Sequence, residues 1–129
     1  MIDTEILRRL SETIASRRDA EAKSSYVASL FAKGHDAVLR KVAEESTETL
    51  LASKDGDKLH VVREMADLWF HSMVLLAWHG LNSDDVLAEL ERLILLSPIR
   101  QGPWGVEGVQ RALLGDALAG PLQRWPLGT

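Results

Sequence analysis

The sequence predicts an all-α fold built around an antiparallel helix hairpin and completed by dimerisation. Three observations carry this. First, Asp55-Gly56-Asp57 reads as a tight turn between two long helical segments, and so short a connection makes them antiparallel neighbours. Second, the helix after the turn is apolar on almost every side: Val61, Val62, Met65, Leu68, Trp69, Phe70, Met73, Val74, Leu75 and Leu76. Such a helix is expected to be buried, and one short chain offers few helices to cover it, so a second copy is expected. Third, the flanking segments repeat apolar residues at helical spacing, as in Ile6, Leu7, Leu10 and Ile14, or Val86, Leu87, Leu90, Leu93 and Ile94.

In chain order, Asp3 or Thr4 is expected to cap a first helix, with Glu5 in its first turn. The polar run from Ser16 to Lys23 takes the chain out of the core. Ser24 or Ser25 is expected to cap a short second helix through Tyr26, Val27, Leu30 and Phe31, stopped by Gly34. Asp36 is the expected N-cap of the third helix, whose core stripe runs through Val38, Leu39, Val42, Thr49 and Leu50. The fourth helix begins near Lys58 and stops at Gly80. Ser83 is expected to cap the fifth, with acids in its first turn.

After Ser97 the composition shifts: all 4 Pro and six of the 9 Gly lie between there and Thr129. Residues 1–96 are therefore expected to form the helical domain and 97–129 a Pro/Gly/Trp-containing tail. Val106–Ala119 could form a weak helix there, and Trp104 and Trp125 could pin the tail to the body. It carries no acid at motif spacing and is expected to be dispensable for chemistry.

The acids of the hairpin are the candidate chemistry. Glu48 and Glu64 each lie eight residues from Gly56, and Glu45 and Asp67 each lie eleven. Equal offsets in an antiparallel hairpin mean equal heights, so four carboxylates are expected to face one another at two levels. At about 100° per residue, Glu64, Asp67 and His71 fall within roughly 60° of one another. Clustered carboxylates repel unless something neutralises them. A divalent cation does so economically, and an all-oxygen set suits Mg²⁺, with Mn²⁺ as a substitute. Glu44 points further out, and a solvated acid is its ordinary reading. Lys41 is either a plain helix pair with Glu44 and Glu45 or a phosphate contact. Lys33 is either a helix-terminal cation or a mobile point charge for phosphate. His71 reads as a satisfied core residue or a support behind a ligand, and His35 and His79 as helix-end residues.

At these residues the chain resembles a known family. Glu45-x-x-Glu48, fifteen residues, then Glu64-x-x-Asp67 is similar to the signature of the all-α nucleotide pyrophosphohydrolases, the MazG-like group. Ser24-Ser25-Tyr26, Leu30-Phe31-Ala32-Lys33-Gly34, Lys41-Val42-Ala43-Glu44-Glu45 and Ala66-Asp67-Leu68-Trp69-Phe70-His71 narrow the resemblance to phosphoribosyl-ATP pyrophosphohydrolase, the second step of histidine biosynthesis. It runs from about Ile6 to Leu93; the tail does not resemble the family. The resemblance implies a MazG-like bundle, a homodimer with nucleotide near the interface, and Mg-dependent hydrolysis of 1-(5-phosphoribosyl)-ATP to 1-(5-phosphoribosyl)-AMP and pyrophosphate. Glu45, Glu48, Glu64 and Asp67 would be catalytic residues and metal ligands, with Glu45 or Glu48 as general base. No P-loop is present, so phosphate binding would rest on metal with Lys33 and Lys41, and Arg40 or Arg63 beside them; Glu44 joins the substrate-binding set. Two other readings stay open: a house-cleaning nucleoside triphosphate pyrophosphohydrolase, and a non-catalytic helical dimerisation module.

Composition narrows the classes further. The 129 residues suit one domain with a real core. A net charge of −4 without a basic stripe argues against nucleic acid. The chain has no Cys, which excludes disulfides, thiol catalysis and a thiolate zinc site. Leu68–Trp78 is too short to span a bilayer and is interrupted by His71. The N-terminus has no basic region followed by an apolar run, so a cytoplasmic protein is expected.

Overall fold

The computed structural model describes residues 2–96. Among these every regular element is helical: α1 (Ile6–Arg17), a 3₁₀ turn (Ala22–Ser24), α2 (Tyr26–Lys33), α3 (His35–Asp55), α4 (Lys58–Trp78) and α5 (Ser83–Leu96). The all-α fold is therefore as the sequence predicts. None of the described helices is long and apolar enough to cross a membrane. The tail beyond Leu96, with the expected helix over Val106–Ala119 and the anchors Trp104 and Trp125, lies outside the described residues.

The chain divides into two compact units at Asp84 and Asp85. In the first unit α3 and α4 form the hairpin, each 21 residues long. Gly56 makes the turn possible: it takes φ 75° at the C-terminus of α3, a left-handed conformation that costs a residue with a Cβ. Asp57 then starts α4, its carboxylate accepting the His60 N–H at 3.1 Å. Ser25 caps α2 in the same way, accepting from the Ala28 N–H.

Three expected caps fall elsewhere. Gly34, at φ 104°, ends α2 and starts α3 at once, so α3 begins at His35 and Asp36 lies within its first turn. Asn82, one residue before the expected Ser83, accepts the Asp84 N–H at 2.8 Å. Ser83 is buried instead, its own N–H donating to Ser11 Oγ at 3.1 Å. Glu5 stands at the start of α1, and Asp3 accepts the Glu5 N–H at 2.8 Å from a turn outside the helix.

The core gathers at one end of the hairpin. Ile14 of α1, Val27 and Leu30 of α2, Val38 of α3 and Met73, Val74 and Ala77 of α4 are buried together. Full burial of a side chain such as Ile14 or Val74 contributes about 1.5–3 kcal/mol. Arg18 closes this end. Its guanidinium donates to the carbonyl oxygens of Ala77 and Trp78 and lies 5.0 Å over the Phe31 ring and 5.8 Å from that of Trp78. A cation on the last carbonyls of a helix also offsets its dipole.

The other end of the hairpin projects beyond the core, and here apolar side chains are left exposed in the single chain. The fourth helix is not buried all round: Leu59, Val62 and Trp69 are 58%, 64% and 56% exposed, with Met65 beside them. Leu50, expected in the core stripe of α3, is also exposed, as is Leu39 nearer the core end. The reason is geometric. Two helices side by side cover one face of each other, and within the first unit these outer-face side chains are left exposed.

Candidate active site

The hairpin register brings together three of the four expected carboxylates. Glu45 from α3 meets Glu64 and Asp67 from α4, with one oxygen of each carboxylate lying within 4.8 Å of the others. They line an open groove of about 730 Å³ together with Arg40, Lys41, Glu44, Thr47 and Glu48. Glu48 stands at the height of Glu64 yet outside the three-carboxylate cluster. Three residues along a helix turn a side chain by about 60°, so equal height does not bring equal direction. Glu48 reaches the groove as an exposed side chain, while those of Glu45 and Glu64 are only 12% and 18% exposed.

Lys41 bridges Glu44 at 3.3 Å and Glu45 at 3.4 Å. Burial works against its ammonium, but hydrogen bonds to Glu44 and Glu45 and the neighbouring charges hold its pKa above the usual lysine value. The helix-pair reading of Lys41 is thus met by geometry, and the same side chain still lines the groove. Lys33 is exposed at the end of α2 and does not line it; neither does Arg63.

His71 is buried and fully bonded. Nδ1 lies 2.8 Å from the Asp67 carbonyl oxygen, and Nε2 lies 2.8 Å from Tyr26 Oη. A carbonyl only accepts, so Nδ1 carries the hydrogen and Nε2 of the neutral ring accepts from Tyr26. This is the satisfied core histidine of the sequence reading. Burial pushes the Tyr26 phenol above its ordinary pKa; Lys41 opposes this, and Glu45, Glu44 and Asp67 add to it. The phenol therefore sits at the edge of the carboxylate field. His35 and His79 form part of an aromatic cluster, with His35 stacked on Trp78 at 5.3 Å.

Sequence reasoning missed the roles of Tyr26, Arg18 and His60. Nothing local marks the first two, whose partners lie 45 and 59 residues away. His60 could have been found: it lies four residues before Glu64, the spacing of helical neighbours, and its Nε2 is 2.9 Å from Glu64 Oε2.

The donor set fits a hard divalent cation. All three converging groups are carboxylates, two of them largely shielded, and no soft donor competes. An all-α hairpin with acids meeting across its two helices defines the class: a helical protein with a carboxylate cluster of a kind that could hold a divalent cation.

The comparisons with known proteins give the family. Residues 7–93 match the family model for phosphoribosyl-ATP pyrophosphohydrolase. A relative from Chromobacterium violaceum named phosphoribosyl-ATP pyrophosphatase is 62% identical over 88 residues, 68% of this chain and 82% of its own. Relatives of the same name from Azoarcus sp. and Nitrosospira multiformis are each 54% identical, over 83% and 90% of this chain and 94% and 92% of theirs. The chain belongs to the phosphoribosyl-ATP pyrophosphohydrolase family, within the MazG-like all-α group. One expectation is corrected. Residues 1–96 make up about three quarters of the chain, so matches covering 83% and 90% of it run on into 97–129. Part of the tail is shared with relatives.

Proposed function

We propose that this protein hydrolyses 1-(5-phosphoribosyl)-ATP between its α- and β-phosphates, releasing 1-(5-phosphoribosyl)-AMP and pyrophosphate. The observation that carries the reading is the convergence of Glu45, Glu64 and Asp67 across the hairpin. Family membership and the printed name of its relatives support the substrate.

In this reading Glu45, Glu64 and Asp67 hold Mg²⁺, or Mn²⁺ in its place. When bound, such a cation supplies a Lewis acid that offsets charge on the phosphate oxygens and acidifies water. Glu48 lines the same groove outside the cluster, a position suited to the general base that takes a proton from the attacking water. Lys41, beside Glu45, and Arg40 bring positive charge to the groove for phosphate, and Glu44 holds Lys41 in place. Lys33 would reach a more distant part of the substrate.

The functional form is proposed to be a cytoplasmic homodimer, with residues 1–96 as its catalytic domain. Support comes from the outer face of the hairpin arm, where Leu50, Leu59, Val62 and Trp69 are each more than half exposed. Successive helical phases place the exposed stripe of α4 roughly opposite its acids, so a partner covers the apolar side without blocking the groove.

Pyrophosphate release from phosphoribosyl-ATP, ATP and dUTP, with and without Mg²⁺, tests the proposal. Metal-dependent release from phosphoribosyl-ATP is expected. Release confined to ATP or dUTP would point to a house-cleaning enzyme, and no release from any of them to a non-catalytic module.

A further inference from the structure

Glu64 is tethered by a side chain that no reading of the acids alone requires. His60 stands one turn earlier on α4, with Nε2 2.9 Å from Glu64 Oε2. A carboxylate oxygen only accepts, so Nε2 carries the hydrogen and donates. The imidazole is placed by its own backbone: the His60 N–H donates to the Asp57 cap at 3.1 Å, which fixes the first turn of α4. The bond runs from a His60 side chain 42% exposed to a Glu64 side chain 18% exposed, and Glu64 lines the groove.

The same device recurs on the facing helix. Lys41 lies four residues before Glu45, with Nζ 3.4 Å from Glu45 Oε2. Two of the three clustered carboxylates thus carry a donor one turn toward the N-terminus of their own helix. In each the donor engages Oε2. This matters because three carboxylates within 4.8 Å repel one another before a cation arrives. A glutamate free to rotate would swing toward water, and binding would then have to reorder it. A tether on one oxygen restrains the carboxylate within the cluster.

We propose that His60 is a positioning residue of the carboxylate site: its Nε2–H holds the Glu64 carboxylate in place to share a divalent cation with Glu45 and Asp67. The proposal rests on the metal reading given above, and the test separates the two. Mn²⁺ and Mg²⁺ affinities of the full chain are measured by calorimetry and by metal-dependent melting, for the parent, His60→Ala, His60→Gln and Glu64→Gln. His60→Ala is expected to weaken metal binding by about 10-fold or more, the usual consequence of losing a hydrogen bond behind a ligand. Its melting temperature in EDTA is expected to stay near that of the parent, because the His60 side chain is 42% exposed. His60→Gln, which offers an amide N–H at similar reach, is expected to recover most of the affinity. Turnover of His60→Ala is expected to return at high metal concentration. If the parent binds metal and His60→Ala binds it within twofold, the positioning role is overturned while the metal site stands. If the parent shows no metal-dependent stabilisation, or Glu64→Gln matches it, the metal reading fails and this proposal with it.

Discussion

Glu45 and Asp67 stand eleven residues on either side of Gly56, and their carboxylates meet across the hairpin within 4.8 Å, with Glu64 as the third member. The turn at Gly56 therefore sets the register of the candidate active site from a distance of three helical turns.

Asp67→Asn removes one charge from this cluster and keeps its shape. Without metal, the variant is expected to be as stable as the parent or more stable by about 1 kcal/mol, because carboxylate repulsion is relieved. Mg²⁺ is expected to raise the parent's melting temperature by mass action and the variant's far less. Thermal melts in EDTA and then in millimolar Mg²⁺ check this; equal metal-induced shifts in both proteins would remove Asp67 from the site.

Glu48→Gln separates a base from a ligand. As general base, Glu48 contributes on the order of 10²-fold or more to turnover. The variant is expected to lose that turnover and keep the parent's Mg²⁺-induced shift. Loss of the shift as well would place Glu48 among the metal ligands, as the sequence pattern first suggests.

The outer face of the arm is expected to be a dimer interface. Sedimentation of the parent at micromolar concentration should show two copies. Val62→Glu puts a charge into a stripe that a partner would desolvate, and is expected to shift the protein toward monomer. A parent that sediments as a monomer ends the idea.

Arg18→Ala tests the closed end of the core. The variant loses charge-assisted hydrogen bonds to the last carbonyls of α4 and the cation over Phe31 and Trp78. A loss of about 2 kcal/mol in unfolding free energy is expected, measured by denaturant titration. Turnover per folded molecule is expected to hold, since Arg18 is not among the groove-lining residues.

Tyr26→Phe leaves Nε2 of the buried His71 without its donor and is expected to cost about 1–2 kcal/mol near neutral pH. The alkaline limb adds a second readout. The folded state holds the Tyr26 phenol above its usual pKa of 10.0, so the unfolded chain ionises first. This contribution to stability is whole below the ordinary tyrosine value and is lost as pH rises through it toward the raised one. Unfolding measured from pH 8 upward should fall less steeply in Tyr26→Phe than in the parent.

Local signals determined much of this protein. Helical spacing, the Gly56 turn and the cap at Ser25 are short-range features, and a chain of this kind writes them within a few residues. The carboxylate cluster was legible for the same reason: one short turn converts sequence offset into height along two packed helices. Direction around the axis was not legible to that argument, which is why Glu48 lies at the groove but outside the cluster. Tertiary structure alone decided which apolar residues are buried. Leu39, Leu50, Val62 and Trp69 read as core because apolarity records only that a surface avoids water, while burial depends on what else reaches it. The long-range bonds of Tyr26 to His71 and of Arg18 to the end of α4 were equally invisible, since their partners meet only when α1 and α2 fold back onto the hairpin.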